Sequence, residues 1–529
     1  MKNRTLKNSL GLISLGVSLI FNSCENYLDV NTDPNNPAKV EAASRIAGAI
    51  TTSSGASQWR GTRELAAVMQ YGGLQSASSG GYAAANWRFT ASYFLWQNAY
   101  VNTMPNSVDL IRLGEEEGNL HFVGVGKTIL ALNFGLLTSQ YGDIVFDDYY
   151  DGKNQIALTP KFNTQKEVYE KIQVLLDEAI VAFDNTTNNR PLNIKNGDLL
   201  YQGDVSKWKK FAWSLKARYY NHLSKKSSLY NADKVIEACS KGFDGDGMDA
   251  EFAYLSGGLL VDENPWSSWG GFESTTNPRY FAWTQFFVNM LTSFPVSNTL
   301  YDDPRVSKIM KPAASDGKYR GPGSGNFITN GQGVLADGSA GDATKTSPND
   351  YGRFSKSGYY TNTTSPFGFI TYSEVKFIEA EARLRKGDKS GAKVAFEEGV
   401  KANMRKLGVS GSEITAYWVS QKADGFDTKF EASLNNGLSY ILRQKYISLC
   451  LNPETWNDMR RMDYSAAIYG PSLKRPKYLN TTVFDENNPN QWIQAMVYET
   501  NEQTRNPDAV GDNSEKSRLL TPTWINTAE

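Results

Sequence analysis

Residues 371–407 constrain the rest of the chain, because they spell a helical hairpin of repeat type that cannot bury its own faces. Val375, Ile378 and Ala382 mark a first helix, Gly387-Asp388 breaks it, and Ala392, Ala395, Phe396, Gly399 and Val400 mark a second. Ala392, Phe396 and Gly399 reproduce the small–Phe–small spacing of a tetratricopeptide second helix, although Glu379 stands where the first helix usually carries Leu. One such hairpin is stable only when stacked on neighbours. The expected fold is therefore mainly α, a scaffold of tetratricopeptide-like hairpins. Other segments fit it. Ile46, Ala49 and Ile50 open an apolar stripe, and residues 94–111 and 122–137 read as two more helices. Between Val205 and Ser224, Trp208, Phe211, Ala212, Leu215 and Tyr219 fall on one face. Lys207, Lys209, Lys210, Lys216 and Arg218 decorate this helix, and we expect them on a solvated face.

Long irregular insertions interrupt the helices. Residues 255–278 carry Trp266, Trp269 and several Gly or Pro breaks, and residues 311–365 are dominated by Gly, Ser, Asn and Asp. Structureless stretches of this length inside a folded chain are uncommon and often functional, and a rigid scaffold that carries elaborate loops is a binding-protein layout. Aromatic residues make up 12% of the chain. Most must fill a large core, but rings on Gly-rich loops suit sugar recognition, because the apolar C–H face of a pyranose stacks on a flat ring. The expected ligand surface is formed by residues 71–90 and 255–283. Tyr82, Asn86, Trp87 and Arg88 follow Ser78-Ser79-Gly80-Gly81, and Trp266 and Trp269 flank Ser267-Ser268. Exposed rings would stack on sugar faces while Asn86 and Arg88 bond hydroxyls. Trp96 and Trp283 lie in apolar helical patterns and are assigned to the core.

Composition removes other functions. A net charge of -1 gives no cationic excess for nucleic acid. Only His121 and His222 are available for histidine chemistry, and both read as structural. Cys239 and Cys450 sit in apolar helical contexts as buried thiols, and no cysteine pair has metal-ligand spacing. Gly124-Val125-Gly126-Lys127-Thr128 is no phosphate loop, since His121 stands where the pattern needs Gly. Asp244-Gly245-Asp246-Gly247 with Asp249 fails as an EF-hand, because Leu255 occupies the place of the closing Glu; a looser calcium site stays open. Nothing singles out a glycosidase carboxylate pair. We expect no enzyme, no cofactor and no bound metal.

The N-terminus addresses the chain to a membrane. Lys2, Arg4 and Lys7 precede an apolar stretch from Leu10 to Phe21, which fits a signal peptide over residues 1–23. Phe21-Asn22-Ser23-Cys24 is a loose lipobox, and acyl chains on Cys24 would each contribute roughly 0.8 kcal/mol per buried methylene. Residues 24–40 form a turn-rich tether, and residues 24–529 the mature body. No later segment is expected to reach the apolar length of a membrane span.

Taken in order, several phrases make a resemblance specific. They are Cys24 with Tyr27-Leu28-Asp29, Asn31-Thr32-Asp33-Pro34-Asn35-Asn36-Pro37, Tyr141-Gly142-Asp143-Ile144 and Asp198-Leu199-Leu200-Tyr201-Gln202-Gly203-Asp204. Trp208 with Arg218-Tyr219-Tyr220, Asp303-Pro304-Arg305, Tyr319-Arg320-Gly321-Pro322, Thr371-Tyr372-Ser373-Glu374-Val375, Glu379-Ala380-Glu381-Ala382 and Glu454-Thr455-Trp456 with Asp458-Met459-Arg460-Arg461 follow. The chain resembles the SusD/RagB family of outer-membrane nutrient-binding lipoproteins, in the subgroup opening with the NTDPNNP phrase. It departs in its loose lipobox and in ending Thr523-Trp524-Ile525 rather than in a paired tryptophan. The resemblance implies a lipid-anchored protein facing the cell exterior, which binds glycan or oligosaccharide and works with a SusC-type TonB-dependent transporter. A peptide ligand is the alternative within that scaffold, and a surface glycoside hydrolase the alternative outside it. The family phrases themselves read as scaffold, with Trp208 and Phe377 on core stripes.

Overall fold

The computed structural model describes residues 40–74, 86–89, 95–150, 158–256, 262–268, 281–292, 303–324, 350–352, 354–476 and 479–529. The described residues are mostly helical, 58% helix against 3% strand. Its backbone is a run of helices: α1 (Ala43–Thr52), α2 (Met104–Glu116), α3 (Leu120–Tyr141), α4 (Gln165–Phe183), α5 (Val205–His222) and α6 (Ala232–Lys241). Then come α7 (Gln285–Thr292), α8 (Tyr372–Lys386), α9 (Lys389–Lys406), α10 (Gly411–Ala423), α11 (Leu434–Ser448) and α12 (Glu454–Arg461). From α2 to α6 each helix packs on the next; α8 then lies against α6, α9 and α11. This is the stacking that the isolated hairpin required.

Local chemistry sets the helix ends. Thr371 caps α8 by accepting from the Glu374 amide, Gly387 ends it in the left-handed region at φ 92°, and Asp388 caps α9 through the Gly391 amide. Thr164 and Glu167 form a capping box at the start of α4. The predicted stripe of α5 is buried in full: Trp208, Phe211, Ala212, Leu215 and Tyr219. Gly135 of α3 is required where α5 crosses, since a Cβ there would lie 2.0 Å from the Tyr219 hydroxyl.

Two expectations are corrected. Lys207, Lys209 and Lys210 do sit on a partly solvated face, but Lys216 and Arg218 are buried. Lys216 reaches Asp177 at 2.7 Å, and Arg218 makes a two-pronged pair with Glu374, both contacts at 2.7 Å. Distant partners neutralise what the local spacing left unpaired. The second correction is α3, which is long and apolar enough to cross a membrane; 83% of its most apolar window is buried, so it serves as a core helix.

Buried charges knit the helices together. Arg461 of α12 bonds both carboxylate oxygens of Glu381 on α8, at 2.7 and 2.8 Å, and also Asp458 at 2.7 Å. Asp458 in turn holds Lys445 of α11 at 2.8 Å. Burial pushes the Glu381 carboxyl up, yet Arg461 and Arg385 outweigh it and hold it well below the usual carboxylate range. His222 is structural, bonded to the Tyr169 hydroxyl at 2.8 Å and to Glu454 at 2.6 Å. His121 is half-buried, with its ring 2.8 Å from the Asn185 carbonyl. Cys239 and Cys450 are buried free thiols. The family phrases containing Arg218, Glu374, Glu381, Glu454, Asp458 and Arg461 are thus scaffold.

The strands are short. β1 (Gly72–Leu74) pairs antiparallel with β3 (Phe281–Trp283), and β2 (Ala250–Phe252) with β4 (Phe367–Ile370).

Candidate functional site

The β1–β3 pairing joins the two loop segments from which the sequence built its ligand surface. Gly72 faces Trp283 and Gly73 faces Ala282, so segments more than two hundred residues apart share one strip. Beneath it lies an aromatic layer. Tyr71 stacks on Tyr446 at 4.5 Å between ring centroids and donates its hydroxyl to the Tyr446 carbonyl at 2.6 Å. Trp283 packs on Phe354 at 4.1 Å and on Phe287 at 5.1 Å. Trp96 and Trp283 are core, although Trp283 lies on β3 and not on the helix its pattern suggested.

The expectation that the loop indoles stand open to solvent is corrected. Trp87 is fully buried between Phe484 and Trp492, each 5.3 Å away, and its backbone is left-handed at φ 56°. Trp266 is buried against Phe354 at 6.2 Å. Asn86 is buried too, and its carbonyl accepts from the Asn480 amide at 3.1 Å. Arg88 is exposed. No ring contact joins Trp87 to Trp266 among the described residues. Among the described residues the indole N–H groups of Trp87 and Trp266 find no acceptor. Tyr82, Trp269 and Cys24 lie outside the described residues.

Two other clefts of about 470 Å³ open on the surface. One lies beside α9 and contains Asp246, Asp249, Glu251, Arg405 and Lys406. Its carboxylates are already matched: Asp246 with Arg405 at 2.6 Å, Asp249 with Lys406 at 2.7 Å, and Glu251 with the same lysine. Asp244 holds Lys210. The acidic loop considered for calcium spends its charge on these cations, and no cluster with metal-ligating potential occurs among the described residues.

The other cleft was not foreseen. It forms where the segment before α2 meets the loop after α3 and the C-terminal residues 499–505. The helix expected over 94–111 begins as Leu95–Gln97, widens into a π-helix over Asn98–Thr103, and resumes as α2. Pro105 lies just after the widening and has no N–H to return to the Val101 carbonyl. Tyr100 and Val101 sit on this wide turn and line the cleft with Trp96 and Tyr149. The Tyr100 hydroxyl donates to the Val145 carbonyl at 2.6 Å, and the Tyr149 hydroxyl to the Tyr100 carbonyl at 3.0 Å, which fixes both rings. Glu502 accepts from the Trp96 indole at 3.3 Å and from the Asn506 side-chain amide at 3.0 Å. Glu499, 4% exposed, accepts the Gln97 amide at 3.2 Å. Burial pushes its carboxyl up to about 7, against the pull of the Gln97 and Trp96 amides and of Arg60, with Glu502 adding to the rise.

Comparison with known proteins places this architecture. A family model for SusD-like proteins, described as starch-binding and associating with the outer membrane, matches residues 34–482. Among solved structures, a SusD/RagB family protein from Bacteroides thetaiotaomicron is similar with a TM-score of 0.69 at 22% identity, over 93% of this chain and 100% of that one. A SusD homologue from Parabacteroides distasonis gives 0.71 at 19% identity, over 92% and 98%. A chitin-binding SusD homologue from Flavobacterium johnsoniae gives 0.70 at 16% identity, over 92% and 98%. No match is found among curated proteins.

Proposed function

The chain belongs to the SusD-like family, and from that membership we propose that it captures glycan or oligosaccharide at the cell exterior and passes it to a SusC-type TonB-dependent transporter. Members of this family are binding proteins rather than enzymes, and the family is associated with the outer membrane. In this reading residues 1–23 are removed as a signal peptide, Cys24 carries the lipid, and residues 24–529 form one nutrient-binding body. The ligand lies on the surface carried by residues 71–90 and 255–283, with Tyr82, Asn86, Trp87, Arg88, Trp266 and Trp269 as the contact set. The observation that carries this placement is the β1–β3 strip, which draws both segments together over a rigid aromatic layer. Trp87 and Trp266 enter it as packed walls whose N–H groups, without an acceptor among the described residues, are available to a sugar hydroxyl on rearrangement. Because one similar structure is a chitin-binding homologue, N-acetylglucosamine oligomers are the first ligands to try, with starch oligomers second.

Isothermal titration with these oligosaccharides tests the reading. Arg88 is exposed and its replacement disturbs no core, so Arg88→Ala weakens binding about tenfold while the melting curve stays native. A set of peptides that binds where every glycan fails moves the function to peptide capture. Palmitate labelling abolished by Cys24→Ser checks the anchor, and co-purification of a TonB-dependent barrel with the native protein checks the partner.

A further inference from the structure

The cleft between Trp96, Tyr100, Tyr149 and the 499–505 segment belongs to no part of the surface assigned above. Its volume, about 470 Å³, is in the range that holds a small ligand. Asp148, Glu499 and Glu502 line it against a single guanidinium, Arg505, and none of the four makes an ion pair among the described residues. The cleft beside α9, equal in volume, differs on this point, because there each acid already holds a lysine or arginine. The tyrosine hydroxyls are spent on carbonyls; Asp148 accepts the Lys161 backbone amide at 2.7 Å and Glu502 the Trp96 and Asn506 N–H groups, so what remains for a ligand is the further acceptor capacity of these carboxylates. A ligand that complements aromatic faces and carboxylates together is a donor-only cation. The π-helical turn brings Tyr100 and Val101 to the wall.

We propose that this cleft is a second binding site, which takes the ammonium group of an amino sugar with a free amine, Glu502 and Asp148 accepting its N–H bonds and the Tyr149 and Trp96 rings flanking it. The sugar as carrier of the amine rests on the glycan-capture reading; the preference for an ammonium rests on the cleft alone.

The test is titration of the full mature chain at pH 6.5 with three trimers: glucosamine with free amines, its N-acetylated counterpart, and a uronic-acid oligomer. The free-amine trimer binds, and the other two bind at least about tenfold more weakly at this site. Asp148→Asn with Glu502→Gln, shown by its melting curve to be folded, weakens the free-amine trimer at least about tenfold. The loop surface is read separately with the N-acetylated trimer, so loss of that reading and loss of this one are told apart. Equal binding of the N-acetylated trimer by the double variant and the parent is expected as well. No binding of the free-amine trimer, equal or tighter binding of the uronic-acid oligomer, or an unchanged affinity in the folded double variant overturns the proposal.

Discussion

Glu381 and Glu499 are both nearly closed off from water, yet the protein treats them in opposite ways. Glu381 meets two nitrogens of Arg461, with Arg385 and the Asn221 amide beside it, and is held ionised. Glu499 meets backbone amides at the start of a helical segment, with no cation in contact among the described residues, and titrates near neutrality. A carboxylate fully served by its own scaffold is part of the architecture; one left short of positive charge at a cleft is available for something else.

The comparison can be broken most forcefully on the scaffold side. Glu381→Ala leaves Arg461 buried without its main partner, and the expected loss is about 3–5 kcal/mol in denaturant unfolding. If that loss is under about 1 kcal/mol, the network is not what holds α8 to α12. Next comes pH, where the two carboxyls have opposite signs. The folded pKa of Glu381 is depressed, so its contribution is present above about 4.3 and disappears as pH falls below that value. The folded pKa of Glu499 is raised to about 7, so ionising it in the folded state costs stability as pH rises from roughly 4.3 to 7. Glu499→Gln should therefore melt at a higher temperature than the parent at pH 8 and show little gain at pH 4. Thermal scans across pH that move both variants in the same direction dissolve the distinction. The smallest effect is expected at the rim: Val101, 63% exposed on the π-helical turn, changed to Thr shifts stability by less than about 0.5 kcal/mol.

Reading from residues alone recovered what is local. The hairpin break at Gly387-Asp388 and the stripe from Trp208 to Tyr219 depend on spacing and capping within a few turns, and the structure has both. The burial of Arg218 was hidden because its partner Glu374 lies 156 residues away and no periodicity refers to it. Trp87 was misjudged as open for the same reason: the residues that cover it, Phe484 and Trp492, come from a distant C-terminal stretch. The aromatic cleft is assembled from three segments far apart in the chain. Its one local mark, Pro105 within an otherwise helical pattern, signals a disturbed turn without saying what faces it. Family membership was legible partly through phrases whose charged residues, such as Arg218, Glu374, Glu381, Asp458 and Arg461, are scaffold, and for that reason those phrases say little about the ligand.

The lattice of paired charges through α5, α8, α11 and α12 has a mechanical consequence. No one of these helices can peel away without stranding an ion in an apolar interior, so this part of the body should open as a unit rather than fray helix by helix. Loops anchored on such a frame can be lengthened, shortened or exchanged while the frame keeps its shape, which makes the chain a chassis on which specificity can be rewritten.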